Sequence, residues 1–343
     1  MINFFKKVIF FIILFFSFFL SFLNKSLAEE FKPSGPIPVT NQNPFYIFFL
    51  NPIPDGVDIP SPKKLIFDLR YTMANVNVRQ YSFPPIADKD RVELDMEVHK
   101  LDLDCKYKFS ERADIRLDIP YLIFWGGFLD TGVEFFEDIL FVTPPTSRED
   151  SGTNRYKYFL RYSSKTYIDR EDTENGFGDI NCFIKYKFID EQRRYLPSAA
   201  IRSGVKFPTG SKDDLLGSGK FDYSIGLLFQ KQVNKLIMYA NFDTVFIERP
   251  KVFDSMPLDD YILSGFLGFE YFLNKKISLF FQSSIMSTPY PRVGEVTSLR
   301  HPPSNIGLGC NFKFNENTSL KTSIIENCTS ASPDITVQAG IKL

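Results

Sequence analysis

Acidic and basic side chains recur at alternate positions in successive stretches of this chain, and their signs are sorted along it. Glu93, Asp95 and Glu97 come first, followed by Asp114, Arg116 and Asp118. Lys157 and Arg161, then Lys185 and Lys187, then Arg202 and Lys206 occupy the next three stretches. If these residues share the wet face of consecutive strands, an acid-rich wall is followed by a base-rich one. In a narrow closed sheet such walls face each other. Either the charges pair and fill the interior, or they hold water between them and impose a transverse field on a pore, as rings of charge do in channels. These residues are the expected pore-lining set. Later strands offer a milder interior of Ser264, Gly268, Ser278, Gln282, Ser284, Asn311 and Gln338, and Phe159, Phe183, Phe266 and Phe280 share the inward parity.

Other chemistries lack their residues. Histidine occurs only at His99 and His301. Ser283, Ser284 and Ser287 would need a base within reach to act as hydrolase nucleophiles, and nothing in the sequence fixes a histidine beside them. No paired His or Cys spacing marks a metal site. The expectation is a non-enzyme with no catalytic residue, metal or cofactor. Lysine and arginine number 40 against 41 acids, a net charge of -1, which supplies no basic field for nucleic acid. Of the four cysteines, Cys105, Cys182 and Cys310 fall on the apolar parity of their strands, where a thiol behaves as a small hydrophobe, so free thiols are expected.

The elements that carry these side chains announce themselves by alternation. Val92, Leu94, Met96 and Val98 interleave with the first acids, and Ile115, Leu117 and Ile119 with the second set. Ile335, Val337, Ala339, Ile341 and Leu343 do the same at the end of the chain. A period of two marks strands with one apolar face. Strands are expected at about 64–75, 91–109, 113–122, 155–163, 179–188, 198–207, 221–230, 235–246, 259–272, 276–286, 305–314, 318–326 and 334–343. The second slips parity near His99 and Lys100, which suggests a bulge. Connections near Met256, Glu295, Leu215 and Glu171 are long, and those near Asn274, Asn315, Val233 and Glu191 short, the rhythm of a membrane barrel with two unlike rims. Tyr107, Phe109, Tyr121, Tyr156, Tyr186, Phe188, Phe207 and Tyr271 suit aromatic girdles. Leu129, Val133, Phe136 and Leu140 have the spacing of a short amphipathic helix within the long connection 124–154.

Ahead of the strands, Lys6 and Lys7 precede an apolar run from Val8 to Leu23, and Ser26-Leu27-Ala28 offers a small-x-small cleavage pattern. The expected organisation is a cleaved signal peptide at 1–28, an N-terminal segment at 29–62 that either plugs the barrel or supplies its first strand, and a barrel at 63–343.

Several pieces together carry a family resemblance. They are Gly35-Pro36 followed by Asn41-Gln42-Asn43-Pro44; Gly126-Gly127-Phe128-Leu129-Asp130 leading into Glu134-Phe135-Phe136; Gly176-Phe177-Gly178-Asp179-Ile180; Lys206-Phe207-Pro208-Thr209-Gly210; and Gly217-Ser218-Gly219. The pattern resembles the exported bacterial family catalogued as domain of unknown function 3187, and is similar to the outer-membrane barrels labelled with the meta-pathway of phenol degradation. The resemblance implies an outer-membrane barrel with an inferred transport role. By themselves the glycines and prolines set turn geometry.

Residues and resemblance lead to one expectation. The chain is all-β, a transmembrane antiparallel β-barrel of about 12–14 strands with one short amphipathic helix, exported to the outer membrane of a Gram-negative bacterium. Its expected partners are outer-membrane lipid, a small hydrophobic or amphipathic solute, and the barrel-assembly machinery through the C-terminal strand. It is expected to act as a passive channel or transporter for that solute. A non-conducting structural or interaction barrel and an outer-membrane hydrolase are the alternatives.

Overall fold

The structure, a computed structural model, describes residues 31–58, 65–81, 90–128, 155–191, 196–291 and 297–343. The first strands are β1 (Leu65–Tyr81), β2 (Arg91–Lys108) and β3 (Ala113–Trp125), followed by three short ones, β4 (Lys157–Tyr162), β5 (Lys165–Arg170) and β6 (Glu174–Phe177). Next come β7 (Ile180–Ile189), β8 (Ser198–Phe207), β9 (Asp222–Val233), β10 (Leu236–Ile247), β11 (Tyr261–Phe272) and β12 (Ile277–Met286). The last three are β13 (Ser304–Lys313), β14 (Ser319–Asn327) and β15 (Ile335–Lys342). Twelve strands close an antiparallel barrel. β1 pairs with β2, β2 with β3, β3 with β7, and each later strand with the next until β15 returns to β1. Closure leaves no sheet edge among these staves, the condition for a sheet to lie in lipid.

The alternation works as a lipid belt. Leu69, Leu103, Ile184, Leu227, Leu279, Leu308 and Ile324 are exposed on the outside, while Arg70, Asp104, Lys185, Gly226, Ser278, Gly309 and Ser323 take the inward positions between them. Short turns after β2, β9, β11 and β13 lie at the rim that also carries Leu65 and Leu343. The longer connections after β8, β10 and β12 lie at the opposite rim. These are called the turn rim and the loop rim below.

Two sequence expectations need correction. The candidate at 155–163 is not a stave. As β4 it pairs with the loop-rim end of β2, from Arg91↔Arg161 to Asp95↔Lys157, and forms a hairpin with β5. With β6 on the end of β3, this hairpin extends the wall beyond the loop rim. Its residues alternate as those of a stave do, so periodicity alone could not separate them. The bulge near His99 and Lys100 is also absent, because β1 and β2 pair without a break from Leu65↔Tyr107 to Tyr81↔Arg91. The amphipathic helix expected at 129–140 and the signal peptide expected at 1–28 lie outside the described residues.

An unbroken strand cannot exchange its faces, so what changes along β2 is the chemistry of each face. Toward the turn rim Leu101 and Leu103 face out, and Asp102 and Asp104 face in. Toward the loop rim the same inward positions hold Val98, Met96, Leu94 and Val92. These join one buried apolar cluster with Phe45, Tyr46, Phe48, Phe49 and Leu50. The outward positions there hold Glu97, Asp95 and Glu93.

Candidate functional site

The N-terminal segment 31–58 carries prolines at 33, 36, 38, 44, 52 and 54. Proline has no N–H to give a ladder and is poorly suited to a central strand. The segment's carbonyls must therefore find other donors, and they find them on the inner wall of the barrel. Lys313 donates to the Lys32 carbonyl at 2.6 Å, and the Lys321 ammonium to the carbonyls of Ser34, Gly35 and Pro36 at 2.8, 2.7 and 3.1 Å. The Ser34 N–H donates to Glu270 and the Ile37 N–H to Gln282. At Gly309 a Cβ would lie 2.5 Å from the Thr322 carbonyl oxygen as well as 2.2 Å from Ile37 Cδ1, so this close approach requires glycine.

The segment then reaches the loop rim. Asn43 caps a single turn, α1 (Pro44–Ile47), by accepting from the Phe45 N–H at 3.0 Å. Tyr290 donates to the Phe45 carbonyl at 2.6 Å. Phe45, Tyr46, Phe48, Phe49 and Leu50 pack against Val92, Leu94, Tyr158, Phe253 and Tyr290 in the apolar cluster. Edge-to-face contacts join Phe45 to Tyr158 and Phe48 to Phe253. Phe45–Leu50 thus form the tip of an interior segment.

On its way back toward the turn rim the chain is held again by the wall. Asp222 accepts from the Leu50 N–H at 2.8 Å, Lys206 donates to the Phe48 carbonyl, and Arg202 to that of Ile53. Asn241 exchanges two hydrogen bonds with the Asp55 backbone, each 2.9 Å. Gln230 accepts from the Val57 N–H at 2.9 Å. The Asp55 carboxylate meets Lys106 at 2.7 Å and Lys185 at 2.9 Å. Burial alone would raise this carboxyl, but Lys106, Lys185 and Arg116 together hold it well below the usual carboxylate range.

The residues expected to line a pore divide into two groups. Asp114, Arg116, Asp118, Lys185, Lys187, Arg202 and Lys206 face the interior, and most are buried in pairs. Arg202 forms a bidentate pair with Asp243, its Nε donating to Oδ1 at 3.3 Å and its Nη2 to Oδ2 at 2.8 Å. Lys206 lies 3.0 Å from Asp222 and 3.3 Å from Asp179, and Lys185 lies 3.3 Å from Asp114. Lys187 reaches Asp190 at 3.2 Å, and Arg116 pairs with Asp104. Asp118 is 2.7 Å from Arg70, which also meets Asp104 at 2.7 Å.

Glu93, Asp95, Glu97, Lys157 and Arg161 take outward positions beyond the lipid belt. Glu93 and Asp95 meet Arg79 at 3.6 and 3.3 Å, and Lys157 meets Asp169 and Glu171 at 2.8 and 2.7 Å. Arg161 and Lys157 flank the Phe159 ring, so Phe159 too lies on the outward face. Tyr156, expected in a girdle, is buried in the apolar cluster.

His99 lies on the outward face of β2, between Leu101 and Glu97. One ring nitrogen is 2.5 Å from the Tyr71 hydroxyl and the other 2.9 Å from Glu97. Ser283, Ser284 and Ser287 belong to or follow β12, which is not a neighbour of β2. The cysteines are free thiols.

Sequence reasoning left Asp55, Asp179, Asp222, Asp243 and Asp104 out of the expected set. Asp179 had a signal, its place after Gly178. It accepts from the Gly210 and Ser218 N–H groups at 2.9 and 3.0 Å, and Thr209 donates to the Gly178 carbonyl. A Cβ on Gly217 would lie 2.4 Å from that carboxylate. The scattered Gly-Phe-Gly-Asp, Lys-Phe-Pro-Thr-Gly and Gly-Ser-Gly pieces thus form one knot at the loop rim. Lys206, bonded to the Ser218 hydroxyl at 2.7 Å, ties that knot to Phe48.

Comparison with solved structures finds similarity to an outer membrane channel from Pseudomonas putida F1, with a TM-score of 0.56 and 11% identity over 83% of this chain and 97% of that one. A KdgM porin in complex with disordered oligogalacturonate matches at a TM-score of 0.42 and 9% identity, covering 81% of this chain and 97% of the porin. The toluene transporter TodX of Pseudomonas putida matches at 0.35 and 9%, covering 82% and 89%. The first likeness bears on the fold, a closed membrane-type barrel. No curated protein sequence matches the chain. The family model described as "Protein of unknown function (DUF3187)" matches residues 11–343. That is nearly the whole chain, and the chain therefore belongs to the DUF3187 family.

Proposed function

We propose that this protein is an outer-membrane channel for a small hydrophobic or amphipathic solute, held closed at rest by its own N-terminal segment. The observation that carries the reading is the way residues 31–58 are bound. Wall side chains from β8 to β14 grip the segment by its backbone, through Arg202, Lys206, Asp222, Asn241, Gln282 and Lys321 among others. A structural core would more simply be built from facing side chains. Backbone gripping by charged and amide groups makes an object that water can replace bond for bond.

The interior is also graded. A cavity of about 640 Å³ lies at the turn rim between the two arms of the segment, lined by Lys106, Asp68, Arg116 and Lys342 among others. A smaller cavity of about 40 Å³ lies between the segment and the wall residues Asp118, Asp179 and Lys206. Beyond it lies the apolar cluster around Phe45 and Tyr158. Removing the segment would leave a charged vestibule leading to a chamber lined by Val92, Leu94, Tyr158, Phe253 and Tyr290, which suits a solute with an apolar body. The paired charges set the field of the opened lumen, with Asp114, Arg116, Asp118, Lys185, Lys187, Arg202 and Lys206 as its lining.

The filled lumen also favours the alternative of a non-conducting structural barrel. Planar-bilayer recording of the full chain and of a chain lacking 31–58 separates the two. Retained faster gel mobility of the unboiled form serves as the control for a folded barrel. The channel reading expects a nearly silent full chain and clear steps from the shortened one. Silence from a folded, shortened barrel would contradict it.

A further inference from the structure

The turn rim holds a second cavity, of about 400 Å³, bounded by Phe31–Ser34 of the N-terminal segment and by the turns after β11 and β13. Five lysines line it, Lys32, Lys275, Lys276, Lys313 and Lys342, against the single carboxylate of Glu316. Lys32, Lys276, Lys313 and Lys342 are in no salt bridge among the described residues. Almost everywhere else in the interior, ammonium and guanidinium groups sit on carboxylates, as at Lys185 and Arg202. Here several ammonium groups share one cavity with a single lining carboxylate, and such a concavity focuses an attractive field on anions.

The same cavity has an apolar side. Phe31 stacks on Phe272 with ring centroids 5.0 Å apart, and the exposed Phe314 lies on the opposite turn. Lys313 sits 5.0 Å above the Phe272 ring while donating to the Lys32 carbonyl. The cavity shares Lys32, Ser34, Glu316 and Lys342 with the larger vestibule, so it adjoins the path into the lumen.

We propose that this cavity is a binding site for a small organic acid, whose carboxylate is held by Lys276, Lys313 and Lys342 and whose apolar body lies against Phe272 and Phe31. The inference rests on the channel reading in one respect: it names the amphipathic solute of that reading as an anion. The site also touches the N-terminal segment directly. Lys313 gives one N–H to the Lys32 carbonyl, so a carboxylate held by its remaining donors would sit directly beside the segment backbone.

The test is calorimetric titration of the full-length barrel in detergent with benzoate, benzyl alcohol and inorganic phosphate. Benzoate is expected to saturate a single site, and to bind more weakly as salt is raised. Benzyl alcohol lacks the charge and phosphate lacks the ring, so each should bind at least about tenfold more weakly, a difference of about 1.4 kcal/mol. Lys276→Gln, on an exposed turn, should weaken benzoate severalfold, and Lys276→Gln with Lys313→Gln about tenfold or more, with unboiled gel mobility retained. Absence of saturable benzoate binding would overturn the proposal. So would phosphate binding as tightly as benzoate, or a folded double variant that binds like the parent. The titration needs no ion flow, so its failure and that of the conductance test are separate results.

Discussion

The two halves of the β1–β2 pair have the same register, the same alternation and opposite chemistry. In the half near the turn rim, Arg70, Asp102 and Asp104 face inward and Leu69, Leu101 and Leu103 face outward. In the half near the loop rim, Val76, Leu94 and Met96 face inward, and Glu93, Asp95 and Glu97 outward. Lipid surrounds the first half, and the apolar tip of the N-terminal segment fills the second. The apolar face of a strand therefore points at whichever apolar neighbour it has, and alternation alone cannot say whether that neighbour is outside or inside the barrel.

The comparison is most strongly challenged at Arg70, whose guanidinium is buried against Asp104 and Asp118 at 2.7 Å each and 3.8 Å from Asp102. Arg70→Ala leaves buried carboxylates without their cation and should destabilise the refolded barrel by about 3–5 kcal/mol, read from its urea midpoint. Next comes the lipid face of the same half. Leu103→Lys should cost about 2–4 kcal/mol in a bilayer, measured by unfolding from vesicles. Unaltered stability there would mean that this belt does not face lipid.

Asp55 sharpens the comparison by asking what holds the segment inside. Its folded carboxyl lies below its ordinary value, so its stabilisation is fully present above about pH 4 and is lost as pH falls through the folded value. Hydrogen bonds to charged groups contribute about 1.5–3 kcal/mol each. Protease protection of the segment should therefore be flat at neutral pH and decline only in stronger acid. Asp55→Asn should weaken protection at neutral pH and remove that decline. The smallest effect is expected at the outward acids. Replacing Glu93, Asp95 and Glu97 by glutamine should leave the ion preference of the opened channel unchanged, whereas Asp114→Asn with Asp118→Asn should shift it.

Much of the fold is legible in the sequence because lipid imposes a local signal. A belt residue must be apolar whatever stands beside it, so the period of two marks each stave and the short turns mark one rim. The same locality explains the failures. Whether Glu93 faces lipid, water or a neighbouring arginine depends on Phe45–Leu50, which are distant in sequence and adjoin β2 only after closure. The pairing of Lys206 with Asp222 and Asp179 was half legible, since the base was visible on its strand and the acids stood at strand ends. The donors to Phe48, Ile53 and Ser34 were not legible, because a backbone carbonyl is the same at every residue. Only the prolines at 33, 36, 38, 52 and 54 hinted that this stretch would bond to something other than a strand.

The most direct test of this account is chemical access to position 94. In a background with Cys105, Cys182, Cys310 and Cys328 replaced by serine, Leu94→Cys is exposed to a water-soluble maleimide, with residues 31–58 present or deleted. The account predicts protection in the full chain and rapid labelling once the segment is gone, in a barrel that keeps its heat-modifiable mobility. Equal labelling of both folded forms would show that the segment does not cover the inward face of β2, and would contradict the account.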